Sequence, residues 1–514
     1  MQNRMNLRLF EPGMTPLHRV GLAGLYMTLK QLKTVDYEKY GGWKLSKTSI
    51  ELFWKNNPRE LISPILKKAF NITNDGIIEF LVHEKLGIGN IEQIHIHNAL
   101  LLTYLQHGQV RGTSNNRNVV REFDGKIILS TYKPVSWYFH NTQKKYEKIL
   151  FNKSGAFMGE NELVNWNYPG GVVRHNAYSK STKLTNTHGN FLKLIFAPIG
   201  SLFFLISTKN HEGKFDKRRK AAIVLPHLKD LESYDYCFRN YLHSPVDMLY
   251  ANSMGDAGLN ALVTLSLKNA DGMLRELDID SCTIFTMGIT PWAKQQKNRT
   301  AIKQIRNINI KKLSFFCSIY QLLHNKIVIN EDNTYYVRAS MVRGLLAENI
   351  AADRPWFYDF KKVMSSRTLA KETFYDRKGL HTMINEQTTH WPYEEDKLFV
   401  EAIHTALRNR FGELANRNNH RASLSHEFTK MREKIRTSLM RAKNAQTMRA
   451  EIADLFARGG INKELQQNWE RLLSLFTGSD WQKTRDLALL ALASYMGKET
   501  DTKNNSDHLE KQRV

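Results

Sequence analysis

The sequence predicts an α+β protein: a large, mixed α/β body followed by an α-helical bundle. Three observations carry this. The 514 residues are 42% hydrophobic and 11% aromatic, enough to bury several cores. The first three-quarters mix short apolar strand-like runs with helical periodicities, without the regular alternation that a doubly wound sheet needs. The last third contains no proline after Pro392, a stretch of 122 residues, and reads as successive capped helices.

Pro12-Gly13 is a turn signal. Thr15 then fits a helix N-cap with Pro16 at the first helical position, where a missing N–H costs nothing. Val20, Leu25, Leu29 and Leu32 follow at helical spacing, and Gly21 and Gly24 predict close backbone packing against that helix. Trp43, Leu45 and Ile50 to Trp54 read as strand, and Pro58 to Phe70 as a short helix. Ile127–Leu129, Leu202–Ile206 and Ile223–Leu225 read as buried strands, separated by polar loops over 108–118 and 210–220. The most apolar stretch, Leu194 to Ile206, is 13 residues long and broken by Pro198 and Gly200. Spanning a bilayer takes about 20 residues, so this is a core strand or strand pair and no membrane partner is expected.

In the last third, Glu394, Glu395 and Asp396 open a helix whose apolar face is Phe399, Ile403 and Leu407; Arg408, Arg410 and Gly412 are expected to close it. A second helix is predicted over 425–443. Leu465, Trp469, Leu472, Leu473 and Phe476 mark a third, stopped by Gly478. Ser479 is the expected cap of a fourth, carrying Trp481, Leu489, Leu492 and Met496. The expected organisation is a body over 1–380, with a subdomain break near 245, a bundle over 385–497 able to fold without upstream help, and a disordered tail over 498–514.

Chemistry-bearing motifs are sparse. Cys237, Cys282 and Cys317 match no zinc spacing, and an odd, scattered set suits reduced thiols in the cytoplasm. The N-terminal residues lack the apolar core of a signal peptide. Gly497-Lys498 lacks the upstream glycine of a phosphate loop. His83-Glu84 and His426-Glu427 lack the second histidine of a zinc-protease motif. His95 and His97 would share one face of a strand, without a third ligand nearby. Asp278 and Asp280 alternate with apolar residues like the polar face of one strand; they are the candidate acids of an alternative reading as a metal-dependent nuclease or transposase. No cofactor is implied, and the main expectation is a protein that is not an enzyme.

Charge points to nucleic acid. Lys+Arg is 74 against 50 for Asp+Glu, a net +24. Residues 381–514 hold 21 basic and 18 acidic residues, so 1–380 hold 53 and 32 and carry +21 of the excess. The predicted contacts form clusters. Arg111, Asn115, Asn116, Arg117 and Arg121 combine side chains that can hydrogen-bond to base edges. Lys144 and Lys145 lie beside Tyr138, Phe139 and Tyr146, a mix suited to stacking bases. Arg174, His175 and Asn176 mix polar groups with small residues that can enter a groove. Lys217, Arg218, Arg219 and Lys220 form the densest run, and Lys294, Lys297 and Arg299 follow Trp292. On the second C-terminal helix, Arg432, Arg436 and Lys443 are spaced by four and seven, with Arg441 beside them, as a ridge for phosphates.

Two segments resemble a known family. Pro12-Gly-Met-Thr-Pro-Leu-His-Arg-Val-Gly-Leu-Ala-Gly-Leu25 resembles the opening of large subunits of subtype I-B (MYXAN-type) CRISPR Cascade complexes, and Trp166-Asn-Tyr-Pro-Gly-Gly-Val-Val-Arg-His175 resembles a second segment of that family. The layout of a basic α/β body and a helical bundle is similar over nearly the whole chain. The resemblance implies a subunit that docks beside the 5′ end of the guide RNA among Cascade backbone and end-cap subunits. It would recognise a short motif flanking the target in duplex DNA (the PAM), stabilise the R-loop and the displaced strand, and recruit a helicase-nuclease or transposition proteins. The division of labour is that base pairing reads sequence while protein reads the flanking motif. The bundle would resemble the small subunit of such complexes.

Overall fold

The computed structural model describes residues 3–123, 125–163, 167, 184–207, 220–268, 274–276, 279–292, 295–385, 391–417 and 421–497. It is α+β, as the sequence predicts: a mixed α/β region precedes a helical one. The described residues form two compact units, one from 3–317 with 325–339 and the other from 318–324 with 340–497.

The first unit is organised around helix Pro16–Gln31, which is buried from Leu17 to Leu29 except at Arg19. Thr15 and His18 form its capping box: the His18 ring accepts the Thr15 N–H at 3.1 Å. Gly21 and Gly24 do what their spacing predicts. A Cβ on Gly21 would overlap the Lys193 carbonyl and one on Gly24 the Phe196 carbonyl, so bare backbone lets the segment 193–200 lie directly against the helix. That segment corrects the expected strand pair over 194–206: it is helix His188–Ile195, a short helical turn Ala197–Gly200, and only then strand Leu202–Ile206. Lys193 is fully buried and saturated by the Glu11 carboxylate, the Arg8 carbonyl and Asn190 Oδ1, which ties the N-terminal strand's exit to this helix.

A five-stranded sheet forms the floor, in the order Tyr250–Ala251, Leu202–Ile206, Lys220–Pro226, Cys282–Trp292, Gln295–Ile305. Only the first pair is parallel. The sheet takes strands from both sides of residue 245. Helix Met254–Leu265 packs on it, where Gly258 admits Ile284 and Ile305. Helix Asn90–Leu102 packs on Leu202–Ile206 and Lys220–Pro226. Strands Arg4–Arg8, Ser49–Trp54 and Gly41–Leu45 make a separate antiparallel sheet. Hairpin Arg117–Tyr132 buries Ile128 against Ile91 and Val246, with Ile327, Ile329 and Tyr335 of hairpin Lys326–Arg338 packed on the same cluster.

The second unit surrounds helix Trp481–Ser494, buried from Thr484 to Ser494. Its run Leu-Ala-Leu-Leu-Ala-Leu-Ala is apolar on every side, the pattern of a central helix rather than an amphipathic one. Helices Arg377–Asn385, Glu394–Arg417, Arg421–Arg441 and Ala445–Arg458 pack on it. The helix opened by Glu394 runs through Gly412 to Arg417, past its expected stop. Phe411 stacks on Tyr495 and meets Phe428 edge-on, which holds the extra turns against the modest cost of an internal glycine. The predicted third helix is two pieces, Lys463–Gln467 and Trp469–Thr477, and the last helix is capped by Asp480 rather than Ser479.

The bundle does draw on upstream residues, contrary to the expectation of self-sufficiency. Buried Asp486 accepts the backbone N–H groups of Asp359 (2.7 Å) and Lys361 (3.2 Å), and Arg436 donates to the Met364 carbonyl at 2.7 Å. Three backbone groups of the irregular segment 353–366, where Asp353 and Asp359 have positive φ, are thus satisfied by bundle side chains, and others by Asn349 and Thr373. The tail over 498–514 lies outside the described residues.

Candidate nucleic-acid interface

The stretch 108–118, expected as a polar loop, is a 3-10 turn, Gly108–Val110, followed by one short strand and the start of another. Arg111–Thr113 pairs with Val135–Tyr138, and Arg117–Phe123 pairs with Lys126–Tyr132. Its polar composition hides the alternation, because the hairpin buries only one face: Ile128, Ser130 and Tyr132 point inward, while Val120 and Ile127 are exposed. Asn115 and Asn116 are exposed in the connection between the strands. Arg117 is exposed opposite Tyr132, and Arg121 is half-buried opposite Ile128. Arg111 is half-buried opposite Tyr138; its Nε and Nη1 are shielded from solvent and have no hydrogen-bond partner.

Beside this cluster lie the two histidines expected on a strand. They are on helix Asn90–Leu102 and both are buried. His97 Nδ1 accepts the Ile78 N–H at 3.0 Å, so its Nε2–H donates to the Lys133 carbonyl at 2.9 Å. Burial lowers the pKa of His97 to about 4 and that of His95 to about 3, so both are neutral structural rings. Among the described residues, no group of three or more His, Cys, Asp or Glu could hold a metal ion.

The aromatic residues expected to stack bases beside Lys144 and Lys145 are core. Tyr138, Phe139 and Tyr146 are 1%, 7% and 0% exposed, so their faces are not open to a nucleotide. Lys145 instead sits 3.5 Å from the ring centre of half-buried Trp137, a cation–π pair that the sequence reading missed. The Lys144 side chain lies outside the described residues, as do Arg174, His175, Asn176, Lys217, Arg218, Arg219, Lys294 and Asp278. Lys220 opens strand Lys220–Pro226, opposite Ile206. Lys297 and Arg299 lie on Gln295–Ile305, opposite Thr290 and Gly288, where that hairpin continues past the end of its neighbour Lys220–Pro226. No acid occurs between Asp280 and Glu331, so the sequence of this hairpin and of the helix after it carries basic residues without acidic ones.

The predicted helical ridge is not continuous. Arg436 is buried, bonded to both Glu433 carboxylate oxygens and the Met364 carbonyl, and so is a packing residue. The Arg432 guanidinium sits between Phe374 and Phe411 at 5.9 and 5.4 Å. Arg441 and Lys443 are exposed. A period of four placed Arg436 on the ridge, but Ile435 and Leu439 beside it mark the buried side of the same helix. Asp280, a candidate catalytic acid, accepts from Ser281 Oγ at 2.7 Å and pairs with Lys229 at 3.6 Å. It is committed to a loop, not to a strand face.

Two family models and one relative match the chain. The family model for the DevT N-terminal domain matches residues 6–195, and that for the DevT C-terminal domain matches residues 386–513. The described part of the first match holds the Pro16–Gln31 helix and the arginine-bearing hairpins; the second match begins just before the bundle. Along 96% of its length the chain is also 25% identical to the CRISPR-associated protein Cas8a1/Csx13 of Myxococcus xanthus (strain DK1622), covering 89% of that relative. These matches support a CRISPR-associated large subunit. Among the described residues no helix is long and apolar enough to cross a membrane.

Proposed function

We propose that the chain is the non-catalytic, nucleic-acid-binding large subunit of a subtype I-B RNA-guided DNA-targeting complex. It recognises a short motif flanking the target in duplex DNA, stabilises the R-loop and recruits downstream effector proteins, a helicase-nuclease or transposition proteins. The observation that carries this reading is the similarity to a CRISPR-associated relative along nearly the whole chain. The charge distribution supports it: +21 of the net +24 falls within 1–380, on the part assigned to duplex and guide RNA.

Within that body, the segments 111–121 and 165–178 are the proposed readers of the flanking motif, and the clusters around Lys217–Lys220 and Lys294–Arg299 are proposed backbone contacts. The bundle over 385–497 tracks the displaced strand through exposed Arg441 and Lys443, a sequence-tolerant contact because phosphates carry no base information.

The test uses the assembled complex and a library of duplexes randomised beside the target. Arg117→Ala and Asn176→Ala are expected to broaden the flanking sequences bound. An equal loss of affinity for every flanking sequence would show that these residues touch backbone only.

A further inference from the structure

Arg111 is anomalous. A guanidinium shielded from water normally pairs with a carboxylate, because leaving its donors unpaired is costly. Arg111 Nε and Nη1 have no partner, and neither does Nε of Arg121 on the neighbouring hairpin. Arg111, Arg117, Arg121 and Lys133 form no ion pair among the described residues. They share one neighbourhood. The His97 and Tyr132 ring centres are 5.8 Å apart; His97 holds the Lys133 carbonyl and feels the charge of Arg111, while Tyr132 feels those of Arg117 and Arg121. Of the nearby acids, Asp75 offers its backbone carbonyl to the Tyr132 hydroxyl at 2.9 Å, Glu79 lies near Tyr138 and Glu122 follows Arg121 on its strand; among the described residues none forms an ion pair with these four cations. Neutral His97 adds no charge of its own, and its ring is locked by two backbone hydrogen bonds.

We propose that this cluster is a built phosphate site, in which the Arg111 fork, flanked by Arg117 and Arg121, holds one phosphodiester of the bound nucleic acid. The proposal rests on the nucleic-acid reading above and changes what the 111–121 segment does: Arg111 fixes register on a backbone phosphate and leaves base reading to its exposed neighbours. A planar guanidinium matches two phosphate oxygens, and a desolvated one gains most from them. The phosphodiester could come from guide RNA or from the DNA duplex; both offer the same anion.

The experiment measures binding of the full-length protein to a single-stranded guide-repeat RNA and to a duplex DNA, across a salt series, for wild type, Arg111→Gln and Arg111→Lys. Arg111→Gln is expected to make the log–log salt slope shallower by about 0.9 for duplex if the phosphate is DNA, or by about 0.7 for single strands if it is RNA. Arg111→Lys keeps the slope but binds more weakly than wild type, because an ammonium lacks the fork. The melting temperature of the unliganded Arg111→Gln protein is expected to be unchanged or higher, since two shielded, unpartnered donors have been removed from a half-buried side chain. Unchanged slopes for both probes, or a clear fall in melting temperature without ligand, would overturn the site. If wild type itself binds neither probe in a salt-dependent way, the nucleic-acid reading fails with it; if wild type binds and Arg111→Gln matches it, only the phosphate site fails.

Discussion

Among the described residues, the first unit holds most of the buried imidazoles with lowered pKa, whereas the buried aspartates that desolvation raises lie in the second. His18, His83, His95, His97 and His140 are enclosed in the first, each with its pKa pushed by desolvation down to about 3 or 4. In the second, desolvation raises Asp396 and Asp486, the latter to about 6, although Lys483 and backbone N–H groups pull the other way. The contrast shows two ways to hold irregular backbone. Neutral rings donate to or accept from the main chain in a body whose charge is already positive. In the second unit Asp486 collects two main-chain N–H groups, while Asp396 is paired with Lys483.

Collapsing one unit alone puts this contrast under the greatest stress. Gly24→Leu is expected to destabilise the first strongly, since even its Cβ would overlap the Phe196 backbone carbonyl and the helix and segment 193–200 would have to separate; the cost exceeds the roughly 3 kcal/mol of ordinary core overpacking. Hydrogen exchange read by mass spectrometry should show lost protection in the first unit and retained protection around helix Trp481–Ser494. Equal loss in both would mean that they do not fold separately.

Next in size, Asp486→Ala strands two buried N–H groups and is expected to destabilise the second unit by about 2–4 kcal/mol. For the same reason a fragment starting at Met383 should melt well below one starting at Ser340, which keeps the 353–366 segment. Equal melting temperatures would restore the view of a self-sufficient bundle.

Acidification separates the units by sign. Folded-state histidine pKa values near 3 to 4 lie below the 6.5 of an unfolded chain, so as pH falls below 6.5 the unfolded state takes up protons first. First-unit stability is therefore fully present above that pH and is lost progressively towards about pH 4. Asp486 has the opposite sign: its folded pKa of about 6 exceeds 3.8, so the folded second unit takes up the proton first and gains relative stability as pH falls through 6. His404 in the second unit and Glu92 in the first each oppose their own unit's trend. A melting series from pH 7 to 5 should show the first unit falling faster; parallel shifts would contradict this assignment.

The smallest expected effect on stability is at the helical surface. Arg441→Ala and Lys443→Ala should alter stability by under about 0.5 kcal/mol, whereas Arg436→Ala should cost about 1–3 kcal/mol by freeing the Met364 carbonyl and Glu433. Thermal melts of the three variants check this directly.

Much of the scaffold was legible in the sequence because local signals agreed with tertiary packing. Thr15-Pro16 begins a helix, Gly21 and Gly24 meet backbone, and 50–54, 202–206 and 223–225 are strands. The site was less legible. The strands flanking Asn115 and Asn116 are too polar to show a period of two, and His95-Ile-His97 alternates like a strand yet lies on a helix with both rings buried. Tyr138, Phe139 and Tyr146 are aromatic in sequence and core in space; no local pattern distinguishes a stacking platform from a packed ring. The unpartnered Arg111 is invisible to sequence altogether, since it depends on what folding leaves unpaired.

Membership of a CRISPR effector complex underlies every functional role assigned above. It is tested by affinity purification of the tagged, full-length chain from its native cell, with sequencing of bound RNA and mass spectrometry of bound proteins. Repeat-derived guide RNA and Cascade backbone subunits are expected together, both retained through size exclusion. A monomeric chain that carries neither would show that the protein works outside such a complex.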